Sequence, residues 1–195
     1  MIYLVRHGET AQNREKRLQG RRDVPLNETG RAQARAAGDR FREQGIAFDL
    51  IYVSPLGRAV ETARLIAGDA AGICTDARLI EMDYGPYEGM DLTNPDPAVM
   101  AFFKDFAGTP APEGMEQLSD VIARLGDFLE EHRQELSGRN VLISTHAIAM
   151  KGALEYLTPG SNGAYWSKFI GNCAVYTAEC EDGVFGVPTE WEAGI

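Results

Sequence analysis

Three apolar runs in the sequence each lead directly into residues capable of chemistry. They deliver Arg6 and His7 after MIYLV, Ser54 and Arg58 after DLIYV, and His146 after NVLIST. Like charges that gather in one place repel each other, so two guanidiniums and two imidazoles need an anion between them. Phosphate suits this set best because paired guanidinium N–H groups grip its oxygens, while carboxylate and sulfate are the weaker alternatives.

Alternating strands and helices are predicted to position these residues. The apolar runs at 1–5, 49–54, 73–82 and 140–145 predict strands, and 172–187 predicts a hairpin turned at Asp182–Gly183. Helical patterns cover 31–45, 55–68, 98–106, 115–136 and 147–157. This order predicts an α/β fold: a three-layer sandwich with a mainly parallel central sheet, an antiparallel edge strand and helices on both faces. Ligands of such sheets bind beyond the carboxyl ends of the strands, where the chemical residues lie.

Composition limits the possible classes of protein. A chain of 195 residues that is 44% hydrophobic can bury one core, so we expect a single domain over 1–195. The sequence contains no uncharged apolar run long enough for a membrane span and opens without a leader pattern, so we expect a cytoplasmic protein. The net charge of −10 argues against nucleic acid as a partner. A homodimer formed through the tail around Trp191 stays open.

Several longer motifs closely resemble the histidine phosphatase superfamily, which includes the cofactor-dependent phosphoglycerate mutases. The matching segments are LVRHGET at 4–10 with Asn13, QGRRDVPLNETG at 19–30, SPLGRAVETA at 54–63, LIEMDYGPYEG at 79–89, residues 116–118 with Arg124, STHA at 144–147 and NCAV at 172–175. Their order and spacing over nearly the whole chain make the signal specific. The resemblance implies a phosphoglycerate mutase-like fold.

The resemblance also implies roles for individual residues. His7 would be the nucleophile, and Arg6, Arg58 and His146 would hold the phosphoryl group. Glu81 would donate the proton to the leaving group. Together with Arg6 and Arg58, the residues expected to bind the substrate are Asn13, Gln19, Gly20 and Ala147.

Elementary chemistry is consistent with those roles. An imidazole is largely neutral at pH 7, so one nitrogen of His7 can attack phosphorus if the other donates its proton to a backbone carbonyl. Phosphoryl transfer mainly needs positioning and charge matching, so we expect neither a metal ion nor a cofactor. Carboxylic acids are ionised at neutral pH unless their surroundings disfavour charge. We therefore expect burial under the loop of Tyr84–Tyr87, together with the substrate dianion, to keep Glu81 protonated.

Some of these residues have simpler alternative interpretations. Arg58 could pair with Glu61 or Glu9 on the surface of its helix. The basic run made of Arg14, Lys16, Arg17, Arg21 and Arg22 could be a solvated loop, or part of it could guide an anionic substrate inward. We expect no role for His132, which lies in the charged helical stretch LEEHRQE.

Three activities agree with this pattern: a phosphatase acting on small-molecule phosphomonoesters, a mutase, and a non-catalytic phosphoester-binding or regulatory module. Mutases of the family carry an arginine-rich insertion, whereas residues 90–114 contain no arginine and only Lys104. This favours hydrolysis. We expect the cap-like insertion at about 88–115 to select a substrate with an apolar or neutral body. Ala147 replaces the usual glycine of the family and would strain the pocket if its φ had to be positive.

Overall fold

The computed structural model describes residues 1–68 and 72–191, in which strands and helices alternate. The strands are β1 Ile2–Arg6, β2 Leu50–Val53, β3 Cys74–Thr75, β4 Val141–Thr145, β5 Val175–Ala178, β6 Cys180–Glu181, β7 Val184–Phe185 and β8 Thr189–Glu190. The α-helices are α1 Ala11–Arg14, α2 Glu28–Glu43, α3 Gly57–Ala67, α4 Pro97–Lys104, α5 Leu118–Leu136 and α6 Ala147–Leu157. Short 3-10 turns cover Ala77–Leu79, Gly85–Tyr87 and Pro159–Ser161.

The central sheet has six strands in the order β3-β2-β4-β1-β5-β8. Strands β1 to β4 are mutually parallel, while β5 runs antiparallel to both β1 and β8. The first strand therefore lies in the interior of the sheet, and its carboxyl end lies beside that of β4. This arrangement confirms the predicted α/β fold, with a mainly parallel sheet and an antiparallel edge.

Apolar cores fill both faces of the sheet, and β1 contributes to each. Ile2 and Leu4 pack with residues of α5 and α6, whereas Tyr3 and Val5 pack with residues of α2 and α3. Successive side chains of a strand point to opposite faces, so one continuous apolar strand can supply two cores. Two helical layers around one sheet form the predicted three-layer sandwich. Among the helices in the described residues, none is both long and apolar enough to span a membrane.

The strand predicted over 73–82 is wrong beyond Thr75. The chain turns at Asp76, whose side chain accepts the backbone N–H of Arg78 at 2.8 Å and caps the turn Ala77–Leu79. Local hydrogen bonds from aspartate to the backbone compete with strand pairing. After the turn, the Leu79 carbonyl oxygen accepts a hydrogen bond from Oγ1 of Thr145 at 2.7 Å, which places it at the end of β4.

The hairpin predicted over 172–187 is also only partly right. Strands β6 and β7 do pair around Asp182–Gly183, where φ is +50° and +74° as a tight hairpin turn requires. The first part of the segment instead forms β5, which inserts between β1 and β8 in the central sheet. That pairing buries Val175 and Tyr176, which a free hairpin would leave exposed.

Candidate active site

The carboxyl ends of β1, β2 and β4 bring the predicted chemical residues into one cluster. The ring centroids of His7 and His146 lie 5.2 Å apart. Nε of Arg58 donates to Nε2 of His7 at 3.2 Å, and Oγ of Ser54 lies 2.7 Å from Nε2 of His146. All four side chains are buried. Residues separated by up to about 140 positions along the chain thus meet because parallel strands end at the same edge.

His7 is held as a neutral imidazole with a defined tautomer. Its Nδ1 lies 2.7 Å from the carbonyl oxygen of Gly8, which can only accept a hydrogen bond, so Nδ1 carries the proton. Nε2 therefore keeps a lone pair. Burial, followed by the positive charges of Arg58 and Arg6, lowers the pKa of His7 well below 6.5. This is the state in which an imidazole can attack an electrophile.

A close backbone contact fixes the turn that follows His7. The Gly8 amide donates to Oγ1 of Thr62 at 3.0 Å. A Cβ on Gly8 would lie 2.4 Å from the carbonyl oxygen of Gly30, and one on Gly30 would lie 2.1 Å from the carbonyl oxygen of Glu9. The first turn of α2 therefore packs directly against the turn at Gly8 and Glu9. A side chain at Gly8 or Gly30 would prevent this close approach.

Arg58 is part of the cluster and does not form a surface ion pair. Its two terminal nitrogens donate to the carbonyl oxygens of Arg22 and Gly20, both at 2.6 Å, and the residue is 1% exposed. Glu61 and Glu9 pair with other side chains. The alternative in which either carboxylate neutralises Arg58 is therefore wrong. Burial lowers the pKa of Arg58 to about 10, which leaves it charged at neutral pH.

Several buried nitrogen atoms in the cluster have no hydrogen-bond partner within the described residues. Arg6 donates from Nη1 to the Ile170 carbonyl oxygen at 2.5 Å, but its Nε has no partner within the described residues. The same holds for Nε2 of Gln19 and for Nδ1 of His146. Burial and Arg58 lower the pKa of His146 well below 6.5. Buried donors usually have acceptors, so this group is suited to an anion with several oxygens.

Glu81 lies at the edge of the cluster and is 7% exposed. Its Oε1 accepts the backbone N–H groups of Met82 at 2.9 Å and Ala149 at 3.0 Å, and its Oε2 accepts that of Ile148 at 3.3 Å. The hydrogen bonds from Ile148 and Ala149 hold the carboxylate against the N-terminus of α6. That Glu81 donates a proton to a leaving group stays a prediction.

A network of charges holds the loop that carries Glu81. Arg21 donates from Nε to the Glu81 carbonyl oxygen at 3.2 Å and forms ion pairs with Asp83 at 3.1 Å and Glu116 at 3.3 Å. Glu116 also pairs with Arg124 at 2.7 Å. These are the residues of the 116–118 motif and its arginine. Arg21 is therefore a structural member of the basic run.

The cluster opens into a cavity of about 360 Å³. Of the basic run, only Arg17 is among the described residues that line it. All the predicted substrate-binding residues do so. The lining residues are Arg6, His7, Asn13, Arg17, Leu18, Gln19, Gly20, Arg58, Glu81, Tyr84, Leu92, Phe103, Phe106, Ala147, Ile148, Lys151 and Phe169.

The predicted substrate-binding residues are held by contacts among themselves and with their neighbours. Oδ1 of Asn13 accepts from the Thr10 backbone at 3.2 Å, and Oε1 of Gln19 accepts from Oγ1 of Thr10 at 2.5 Å. Gly20 has φ +56°, and a Cβ there would lie 2.2 Å from the Glu88 carboxylate. These contacts hold Gln19 in the cavity wall, and its Nε2 has no hydrogen-bond partner within the described residues.

Ala147 causes no backbone strain. It is the first residue of α6 and follows the extended N-cap His146, with φ −128°. The non-glycine residues with positive φ in the described chain lie elsewhere. The positive φ at which alanine would strain the pocket is therefore not present, because residue 147 has the conformation of a helix.

Sequence reasoning missed part of the cavity wall, namely Lys151, Ile148 and Phe169. One signal was available for Lys151. It is the only charged residue in the first turns of the apolar helix AIAMKGALEYL, and it stands four positions after Ala147, on the same helical face. Phe169 lies in an irregular segment whose position no periodic pattern predicts.

The chain belongs to the histidine phosphatase superfamily (branch 1), whose family model matches residues 2–190. The similarity suggested by the sequence motifs is thereby confirmed over nearly the whole chain. Members of this class are phosphatases and mutases. Across the described residues, no group of three or more histidine, cysteine or carboxylate side chains is arranged to hold a metal ion.

The similar proteins include one named as a probable mutase and one named as a phosphatase. The chain is 36% identical over 155 residues to a probable phosphoglycerate mutase GpmB of Yersinia pestis, covering 76% of this chain and 70% of the relative. The structure of Bacillus stearothermophilus YhfR matches with a TM-score of 0.83 and 31% identity, over 95% of this chain and 94% of that one. Phosphoserine phosphatase from Entamoeba histolytica in complex with 3-phosphoglyceric acid matches with a TM-score of 0.81 and 25% identity, over 98% and 94%.

Proposed function

We propose that this protein hydrolyses small-molecule phosphomonoesters through a phosphohistidine intermediate on His7. The main support is the state of that ring: a neutral imidazole has its lone pair at Nε2, beside the buried guanidinium of Arg58. A core gains nothing from such a group, because burial of unpaired cations is unfavourable. A phosphoryl group supplies both an electrophile for the imidazole and acceptors for the surrounding donors.

In the first step, Nε2 of His7 forms a bond to phosphorus while the bond from phosphorus to the alcohol oxygen breaks. Glu81 transfers its proton to the departing oxygen, so a neutral alcohol leaves. Arg6, Arg58 and His146 hold the equatorial oxygens, where charge accumulates in the transition state. Nδ1 keeps its proton and donates it to the Gly8 carbonyl oxygen, which fixes the ring during attack.

In the second step, water attacks phosphorus and gives a proton to the Glu81 carboxylate. The bond between phosphorus and His7 breaks, and inorganic phosphate leaves. The second step thereby returns both Glu81 and His7 to the states in which they began the first. The scheme needs neither metal nor cofactor, since the arginines and His146 neutralise the charge that a metal would otherwise carry.

Phosphoglycerate mutase-type transfer is the second candidate, and the name of the Yersinia pestis relative favours it. A mutase must retain a bisphosphorylated substrate and needs cations for its carboxylate and second phosphate. Residues 90–114 contain no arginine, and Phe103 and Phe106 from this region line the cavity. An apolar wall of this kind favours release of the alcohol over retention of a polyanion.

The decisive experiment is incubation with a panel of phosphomonoesters in EDTA, followed by rapid quenching. We expect inorganic phosphate to accumulate and His7 to carry acid-labile, base-stable phosphate. In His7→Ala both signals should fall at least 1,000-fold, by analogy with losses of other nucleophiles. His132→Asn is the matched control because this residue bonds to Tyr52 and Glu135 outside the cavity, and it should retain full turnover.

Two outcomes would contradict the proposal. Net movement of phosphate between hydroxyls without release of phosphate would identify the mutase. Binding of phosphoesters without any label on His7 would identify a phosphoester-binding or regulatory module.

The proposal also covers the location and the partners of the protein. We propose a cytoplasmic location. We further propose that nucleic acid is not a partner, which the net charge of −10 supports. A homodimer stays a proposal for solution measurement.

A further inference from the structure

Lys151 is a buried cation in the wall of the active-site cavity that the proposed mechanism does not use. It lies on α6, four residues after Ala147, and is 8% exposed. Its Nζ donates to the Trp166 carbonyl oxygen at 2.7 Å and lies 5.4 Å from the centre of the Phe106 ring. The ammonium is thus fixed in the wall of the cavity. We call the group of Arg6, His7, Arg58 and His146 the phosphoryl cluster.

This ammonium lacks the partner that a buried charge normally has. The Trp166 carbonyl is its one hydrogen-bond acceptor within the described residues, although an ammonium has three donors. No carboxylate of the described chain forms an ion pair with it. An uncompensated buried cation is costly, which is why such groups commonly face a ligand of opposite charge.

The charges around Lys151 leave it mostly protonated at neutral pH. Burial lowers its pKa to about 8, Glu81 opposes that shift, and Arg6 adds to it. The other charged groups that line the cavity are Arg17 and Arg58. The cleft that adjoins the cavity along Phe106 and Phe169 adds Lys104, Asp105 and Lys168.

The rest of the wall on this side is apolar. Phe103, Phe106 and Phe169 line both the cavity and the adjoining cleft, and the Phe169 side chain is 89% exposed at the surface. Aromatic surfaces of this kind bind flat or apolar groups. A ligand that leaves the phosphoryl cluster in this direction meets one cation among aromatic rings.

We propose that Lys151 is a specificity residue that binds a carboxylate on the apolar leaving alcohol of the substrate. This inference rests on the proposed function, because it assigns the alcohol portion of the same substrate. A carboxylate fits a single ammonium, whereas a second phosphate dianion would call for paired arginines. The preferred substrates are therefore aryl or similarly apolar phosphomonoesters that carry one acidic group.

The test compares two non-hydrolysable ligands, benzylphosphonate and 4-(phosphonomethyl)benzoate, by titration calorimetry at pH 7. The wild type should bind the carboxylated ligand about tenfold more tightly, as expected for a charge-assisted hydrogen bond. Lys151→Met should abolish this preference, while Lys151→Arg should keep most of it. Lys168→Met, which removes the same charge from the adjoining cleft, should leave the preference at its wild-type value.

Binding measured at high pH tests the role of Lys151, and turnover measured separately tests the proposed function. At pH 9.5 the wild-type preference should shrink, because the ammonium loses its proton. A wild-type preference below twofold, or one that persists in Lys151→Met, overturns the assignment of Lys151. Turnover of the corresponding benzyl phosphates is a separate measurement: its absence would contradict the hydrolase, while the binding ratio would still decide the role of Lys151.

Discussion

His7 lies among positive charges, which weaken the affinity of its ring for a second proton. Burial, Arg58 and Arg6 all act in that direction and lower its pKa well below 6.5. The hydrogen bond from Nδ1 to Gly8 opposes the shift but leaves Nε2 unprotonated, where it accepts a hydrogen bond from Nε of Arg58. The same cations that favour an anionic ligand therefore keep Nε2 unprotonated.

This lowered pKa predicts the acid side of the pH profile. Attack requires the unprotonated form, which is present above the pKa of the folded enzyme and lost as pH falls through it. The acid limb of kcat/KM should therefore have its midpoint below pH 6.5, and kcat/KM should be nearly constant between pH 6.5 and 7.5. Steady-state rates with 4-nitrophenyl phosphate in buffers of constant ionic strength measure this. A midpoint at or above 6.5 would contradict the neutral, buried ring.

The stability of the free protein should likewise decrease as the pH falls. The pKa values of His7 and His146 are both lowered in the folded chain, so below pH 6.5 the unfolded chain binds more protons. The free energy of unfolding contributed by these groups is therefore fully present above pH 6.5 and decreases as pH falls.

At the level of elements, the loop that carries Glu81 depends on ion pairs from distant segments. Glu116 accepts the Asp83 backbone N–H at 3.0 Å and pairs with Arg21 and Arg124. None of the hydrogen bonds and ion pairs of Glu116 within the described residues involves His7, Glu81 or His146. Glu116 is thus a positioning residue, since it fixes the loop from which Glu81 extends.

Glu116→Gln should slow the step in which Glu81 protonates the leaving group. We expect kcat to fall about tenfold with alkyl phosphates and less than threefold with 4-nitrophenyl phosphate, whose leaving group needs little protonation. A purely structural role would lower both rates equally. Glu131→Gln is the control, because Glu131 lies on α5 and pairs with Arg78 at an exposed position. It should match the wild type with both substrates.

Elements also show how far sequence reasoning reaches. The ends of β1, β2 and β4 were predictable because apolar runs that stop at polar residues determine both the strand and its edge. The short β3 was not, since the capping hydrogen bond of Asp76 is a local choice that an apolar pattern does not reveal. Lys151 was missed because its significance depends on which wall α6 contributes to the cavity, and Phe169 because its segment has no periodicity.

At the scale of the whole molecule, the end of the described chain returns to the core. The Trp191 ring stacks on Phe41, with centroids 4.3 Å apart and planes 7° apart, and its backbone N–H donates to Val175. Within the described residues, the ring therefore packs over one face of the sheet in its own chain. A homodimer formed through the tail around Trp191 stays a proposal.

Trp191→Ala should destabilise the fold without changing catalysis. The loss of the stacked ring should lower the free energy of unfolding by about 2 kcal/mol, because the indole is only partly buried. Urea denaturation followed by circular dichroism measures this, with turnover expected within twofold of the wild type. Val187→Ala, at a position where the side chain is 68% exposed, should change stability by less than about 0.5 kcal/mol. A lower molar mass in solution with unchanged stability would return the tail to a role in self-association.

The reciprocal contact of Gly8 and Gly30 has a consequence for the variation that this scaffold can tolerate. Each position excludes every residue with a Cβ, because the carbonyl oxygen of the opposing segment occupies that space. The two sites cannot compensate for each other, since enlarging either one pushes the same two segments apart. Randomising both codons together should thus recover only genes that encode glycine at both positions. A recombined gene should likewise encode a functional protein only when positions 8 and 30 are both glycine.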